Sequence, residues 1–279
     1  MSSSAPERLR HIAGRHNALV KELRRAFSQG EPTEEGYCAI ESVRLIEEAI
    51  RSGLKFKAVF FAASAAERAH RLLPQLASHV ETLVLAEGVF AGVTATQSPQ
   101  GVAALVKLPE RSLEQLLAAA RPFFVVAAGV QDPGNLGTMV RSAEAFGASG
   151  LLLTPGTVSP FNQKVVRASA GSLFRLPLAQ TEGPKVLLPA LRARGIRLVA
   201  TSSHKGTPLP RAQFGDALAI FAGNEGAGLA REWQREMDET VAVPHSPRVE
   251  SLNAGVALSI VLYEIARRSG EIEPGGNVP

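Results

Sequence analysis

The sequence predicts an α/β protein whose C-terminal half is a parallel sheet covered by helices, preceded by a smaller α/β domain. Three observations carry that prediction. Short apolar segments alternate with helix-patterned ones from Phe123 to Arg267, the order that builds a parallel sheet. Phe123–Ala128 is an unbroken apolar run, as in a strand buried on both faces. The chain has 279 residues, 45% of them hydrophobic and 20% charged, enough for two ordinary domains with sizeable cores.

His16–Gln29 reads as the first helix, with Leu19, Val20, Leu23 and Phe27 at helical spacing. Tyr37–Ile40 is a strand leading to the helix Glu41–Arg51, and Ala58–Ala62 is an apolar strand before a helix rich in Ala, Glu and Arg. Thr82–Leu85 and Gly101–Lys107 are further strands. Pro109 breaks the pattern and Ser112–Ala120 connects, which puts the domain boundary near residues 109–121. Residues 1–110 are thus expected as one domain, with 1–29 as a basic helical extension, and 121–270 as the second.

In the second domain the strand Phe123–Ala128 precedes the helix Asn135–Phe146, and strand Gly150–Leu153 precedes helix Asn162–Ala170. Strand Arg175–Leu178, helix Pro184–Arg194 and strands Ile196–Thr201, Ala217–Ala222 and Thr240–Val243 follow. Helix Asn253–Arg267 closes the domain, with Val256, Ile260 and Tyr263 on one apolar face and Glu264 and Arg268 spaced to pair. The Gly- and Pro-rich residues 271–279 are expected to be a disordered tail.

Composition excludes several classes. Cys38 is the only cysteine, so neither an intrachain disulfide nor a multi-cysteine zinc site is available, and it reads as core packing. The six histidines form no ligand set, so no metal is expected. No apolar run nears the ~20 residues of a membrane span. Met1–Arg10 lacks a secretory signal, and a cytoplasmic protein is expected. The net charge of +4 is modest, but its distribution is informative. No acid occurs in 145–181, beside Lys164, Arg167 and Arg175, nor in 183–215, beside Lys185, Arg192, Arg194, Arg197, Lys205 and Arg211. The first 30 residues add six cations against two acids. Such bias suits a phosphate backbone.

Ligands of open parallel sheets bind beyond the carboxyl ends of the strands. Three segments lie there: Gln131–Arg141, Ala222–Gly228, and Val243–Ser246 continuing through Glu250–Asn253. In the first, Asp132-Pro133-Gly134-Asn135 combines turn chemistry with a helix N-cap, and Arg141 and Glu144 are spaced to pair. The second, Gly223-Asn224-Glu225-Gly226-Ala227-Gly228, is neither a dinucleotide fingerprint nor a Walker loop, although its glycines allow close backbone approach.

Taken together, Asn135-x-Gly137-x-x-x-Arg141, Gly223-Asn224-Glu225-Gly226-x-Gly228 and Pro244 followed by Ser251-Leu252-Asn253 resemble the three motifs of the SpoU (TrmH-like) family. These are RNA ribose 2′-O-methyltransferases of the SPOUT superfamily. The resemblance runs from about Phe123 to Arg268, and residues from about Gly30 to Lys107 are similar to the small RNA-binding domain that often precedes it. It implies a C-terminal domain with a deep trefoil knot, a homodimer, and S-adenosylmethionine as methyl donor. The substrate implied is structured RNA, ribosomal ahead of transfer RNA. Asn135, Arg141, Glu225, Ser251 and Asn253 match the family's catalytic set, and Gly223, Val243 and Leu252, with Thr201 as a weaker candidate, match its donor pocket. Asn224 falls on a variable family position and receives no role.

Arg141 is the family's proposed proton acceptor, but a guanidinium stays protonated throughout the pH range in which enzymes work, so phosphate binding and polarisation of the developing alkoxide suit it better. Glu225 is expected to orient Arg141 or cap its loop. His245 is a competing base by its intrinsic chemistry. Two other classes remain: a non-catalytic RNA-binding protein, against which the intact polar set argues, and a nucleotide-dependent oxidoreductase, against which the missing Gly-x-Gly-x-x-Gly argues.

Overall fold

The structure, a computed structural model, describes residues 8–12, 14–94, 100–109, 111–203 and 205–272. The first seven residues of the expected basic extension and 273–279 of the expected tail lie outside them. The chain divides into two compact units: Met1–Leu108 with Ser159–Phe174, and Pro109–Val158 with Arg175–Pro279.

The first unit contains β1 (Leu9–Ile12), α1 (Ala18–Gln29), β2 (Tyr37–Glu41), α2 (Val43–Arg51), β3 (Lys55–Ala62), α3 (Ala66–Leu72), β4 (Glu81–Leu85), α4 (Glu87–Ala91) and β5 (Val102–Lys107). Its sheet runs β1-β4-β3-β5-β2, with β1, β4 and β3 parallel and β5 antiparallel to both neighbours. The edge strand β1 escapes sequence reading because Arg10 and His11 interrupt its apolar pattern. Helix α1 is no appendage: it buries Val20, Leu23, Ala26 and Phe27, and Asn17 caps its first turn. Cys38 is buried in β2.

The second unit contains α5 (Leu113–Leu117), β6 (Phe123–Ala127), α6 (Pro133–Ala145), β7 (Gly150–Leu153) and, past the inserted α7 (Gln163–Ala168) that belongs to the first unit, β8 (Leu178–Gln180). Then come α8 (Pro184–Arg192), β9 (Arg197–Ser202), β10 (Thr207–Pro208), β11 (Leu218–Ala222), α9 (Arg231–Gln234), β12 (Glu239–Ala242) and α10 (Ala254–Ser269). The seven strands are all parallel, in the order β10-β12-β9-β11-β6-β7-β8. The central strand β11 is buried throughout, as are Phe124–Ala127 of β6, in keeping with a sheet covered on both faces. One core layer packs Phe124, Val126, Leu152, Leu187, Leu191, Phe221 and Trp233.

Two expectations are corrected, and the outward face of the last helix is identified. The strand predicted at Arg175–Leu178 starts at Leu178, because Ser172–Phe174 form a 3₁₀ turn and Pro177 has no N–H to give a ladder. The face of α10 bearing Val256, Ile260 and Tyr263 is exposed, at 47, 37 and 48%; the buried face carries Leu258, Val261, Leu262, Ile265 and Ala266. A helix apolar on two sides leaves periodicity unable to say which side packs inward. Glu144 pairs with Arg175 rather than Arg141, through Nε at 2.5 Å and a second guanidinium nitrogen at 3.0 Å. The expected Glu264–Arg268 pair does form, at 2.7 Å.

Candidate active site

The carboxyl ends of β6, β11, β9 and β12 lie side by side. Register sets Ala222 opposite Ala127, Phe221 opposite Ala200, and Thr201 and Ser202 opposite Val241 and Ala242. Gly223 and Val243 are the first residues beyond β11 and β12, so Thr201, Gly223 and Val243 share one sheet edge. Thr201 hydroxyl donates to Phe221 O at 3.1 Å, which uses it within the sheet.

Gly223 is buried where the chain doubles back: a Cβ there would lie 2.3 Å from both Gly228 C and Leu229 N. Only glycine permits that approach. The loop closes by reciprocal backbone bonds between Asn224 and Gly228, at 3.0 and 2.9 Å. The Asn224 side chain organises the rest. Its Oδ1 accepts the N–H groups of Gly226 and Ala227, both at 3.0 Å, and its Nδ2 donates to Gly129 O at 3.2 Å. Sequence reading gave Asn224 no role, yet a short polar side chain between glycines is the signal of such an Asx turn.

Glu225 joins this loop to the start of α6. Its Oε1 accepts the Asp132 N–H and Asn135 Nδ2, both at 3.0 Å, and Oε2 accepts the Gln131 N–H at 3.2 Å. Burial acts to raise its pKa, but the hydrogen bonds from Asn135, its own backbone, Asp132 and Gln131 outweigh it and hold the carboxyl below the ordinary range. Glu225 therefore holds Asn135, and its expected role toward Arg141 is not the one seen. Asp132 caps α6 by accepting the Asn135 N–H at 2.8 Å, with Pro133 next in the first turn. Asn135 is 5% exposed, and its Oδ1 has no partner among the described residues.

Arg141 lies six residues on, about 9 Å along the helix, and is exposed. Its guanidinium makes no hydrogen bond or ion pair among the described residues. Helix α10 packs along α6: Ser142 and Ser259 hydroxyls are 2.6 Å apart, and a Cβ on Gly255 would meet Thr138 Cβ at 3.1 Å and Asn253 Oδ1 at 3.3 Å. Asn253 thus stands beside the middle turn of α6, where its Oδ1 caps α10 at the Val256 N–H, 3.2 Å away. The Ser251 hydroxyl has no partner among the described residues, and Leu252 is half-buried. His245 Nδ1 is 2.8 Å from Val243 O, which ties that ring to its own loop.

The structure brings Asn135 and Glu225 into direct contact and collects Thr201, Gly223 and Val243 at one edge. Arg141 and Ser251 make no side-chain hydrogen bond or ion pair with another member of the set. Peptide groups of a glycine loop and of Val243, and an apolar side chain such as Leu252, have the chemistry to meet the edge and faces of an adenosine. No group of three or more His, Cys, Asp or Glu among the described residues is placed to hold a metal.

The profile of the SpoU rRNA Methylase family matches residues 122–263, and that of the MRM3-like substrate binding domain matches 17–104. The 23S rRNA (guanosine(2553)-2′-O)-methyltransferase RlmP of Bacillus subtilis is 32% identical over 257 residues, 92% of this chain and 99% of that protein. The crystal structure of the SpoU methyltransferase AviRb from Streptomyces viridochromogenes with AdoMet superposes with a TM-score of 0.80 at 26% identity, covering 92% of this chain and all of the other. An AdoMet-bound rRNA methyltransferase from Sinorhizobium meliloti gives 0.77 at 28% identity, covering 94 and 98%.

Proposed function

The chain belongs to the SpoU family of S-adenosylmethionine-dependent RNA ribose 2′-O-methyltransferases, and we propose that its three motif loops form the donor and ribose sites. It methylates ribosomal RNA, with S-adenosylmethionine as cofactor. The observation that carries the site assignment is the Glu225 clamp, which fastens the loop after β11 to the first turn of α6.

Bound S-adenosylmethionine supplies a methyl group on a sulfonium, already a good leaving group. The chain's task is alignment, which can contribute as much as ~7–11 kcal/mol. Gly223, Val243 and Leu252 hold the donor, with Thr201 at the margin of the pocket. Asn135, fixed by Glu225, offers its unpartnered Oδ1 to the ribose hydroxyl. Arg141 has no partner to leave among the described residues, so it is available to bind the substrate phosphate and stabilise the developing alkoxide without giving up its proton. Ser251 and Asn253 steady the sugar.

The enzyme works as a homodimer formed on Val256, Ile260 and Tyr263, three apolar side chains that α10 leaves to solvent beside the helix bearing Arg141. Sedimentation velocity tests it; a monomer at assay concentration contradicts it. The trefoil knot is part of the same reading. Strand β12 lies beyond β9, and α10 returns to α6, its Arg268 holding the carbonyls of Leu209 and Ala212 on the preceding β10–β11 connection. A cytoplasmic enzyme is part of the same proposal.

Calorimetry tests the donor pocket. Leu252→Arg abolishes S-adenosylmethionine binding in a folded protein, and unchanged affinity removes Leu252 from the pocket.

A further inference from the structure

The acid-free stretches of sequence are less uniformly basic in space than in order. Arg175 pairs with Glu144, Arg192 with Asp238, Arg197 with Glu239, and Arg194 donates to Leu117 O. Lys164 and Arg167, both on α7, differ. They are exposed, and neither side chain has a hydrogen bond or ion pair among the described residues. Three positions apart on a helix, they share a face.

Helix α7 is not a loose segment. Ser159 hydroxyl donates to Gly30 O at 2.8 Å, and Gln163, buried to 8% exposure, donates from Nε2 to Ala39 O of β2 at 2.8 Å. Val165 and Val166 are buried, and Gly171 packs on Glu48 of α2, where a Cβ would lie 3.1 Å from Glu48 Cγ. The helix is therefore anchored to three elements of the first unit, α1's end, β2 and α2. Like charges at this spacing oppose helix formation, and no acid among the described residues pairs with either of them. An anionic partner removes that repulsion and meets cations held on a rigid support.

We propose that Lys164 and Arg167 bind phosphates of the RNA substrate, which makes α7 part of the RNA-binding face of the first unit. This rests on the chain's being an RNA methyltransferase and extends that reading to a segment lying, in sequence, within the methylase family's own stretch. Each neutralised phosphate releases counterions and adds about 0.7–0.9 to the slope of log affinity against log salt.

The test is full-length protein titrated with a ribosomal RNA fragment across a potassium chloride series. The Lys164→Gln/Arg167→Gln double variant flattens the slope by roughly 1.4–1.8. It also raises KM for RNA severalfold, with kcat and S-adenosylmethionine affinity unchanged. The charge-keeping Lys164→Arg/Arg167→Lys variant restores both slope and KM, which separates charge from shape. An unchanged slope and KM in the double variant, or failure of that rescue, overturns the proposal. A wild type that binds RNA without transferring methyl contradicts the functional reading alone, because the slope comparison still decides the surface.

Discussion

Glu225 Oε1 takes the Asn135 side-chain N–H at 3.0 Å, joining the loop after β11 to the first turn of α6, ninety residues apart in sequence. The same carboxylate accepts two backbone N–H groups at the start of α6, so one ionised group fixes the geometry of both. Glu225→Gln keeps the size but turns a donor toward donors. Hydrogen bonds to a charged group contribute about 1.5–3 kcal/mol. The variant is expected to lose roughly 10- to 100-fold in kcat/KM for methyl transfer, a factor of ten being 1.4 kcal/mol. Wild-type kinetics from Glu225→Gln contradict this.

The acid limit of stability has a named contributor at the end of α10. Arg267's hydrogen bond is the largest cause lowering the Glu264 pKa; burial opposes it, and Arg268 adds to the lowering, leaving the carboxyl at about 2. A carboxyl lowered on folding stabilises the folded state above its unfolded value, and the contribution is lost as pH falls through its folded value. The melting-temperature gap between wild type and Glu264→Gln is therefore constant above about pH 5 and narrows as pH falls from about 4.5 toward 2. A gap that widens on acidification is the contrary result.

Ser42 stands at φ 107°, ψ 146° between β2 and α2, a region that costs a non-glycine residue about 1–3 kcal/mol. Its hydroxyl caps α2 at the Leu45 N–H, 3.3 Å away, and glycine at a cap costs only a few tenths of a kcal/mol. Glycine also loses more freedom on folding, by roughly 0.5–1 kcal/mol. Ser42→Gly is expected to stabilise by about 1 kcal/mol net, read as a higher denaturation midpoint with an unchanged m-value. A lower midpoint shows that the hydroxyl matters more than the strain.

Much of this was legible in the sequence, and the failures have physical causes. Phe123–Ala128 announced a doubly buried strand because parallel sheets need apolar residues on both faces. The three motif loops were recognisable because strand ends in such sheets are where ligands bind. The allegiance of α7 to the first unit was not legible: it depends on Gln163 meeting Ala39, a contact across 124 residues. The Arg141–Glu144 pairing failed because Arg175, distant in sequence, offers Glu144 a two-pronged partner. Which face of α10 packs inward was not legible either, because spacing defines an apolar face at Val256, Ile260 and Tyr263 without saying what covers it.

The central claim is that α6 and the loops past β11 and β12 deliver a methyl group to a ribose oxygen with Arg141 as the group that meets the substrate. Ribosomal RNA is incubated with S-adenosylmethionine and either wild type or Arg141→Ala, the modified nucleotide is located by mass spectrometry, and donor affinity is measured in parallel by calorimetry. The account predicts a methyl on one ribose, a backbone there resistant to alkaline cleavage, and no transfer by Arg141→Ala despite wild-type donor affinity. Methyl found on a base, or undiminished transfer by the variant, contradicts it.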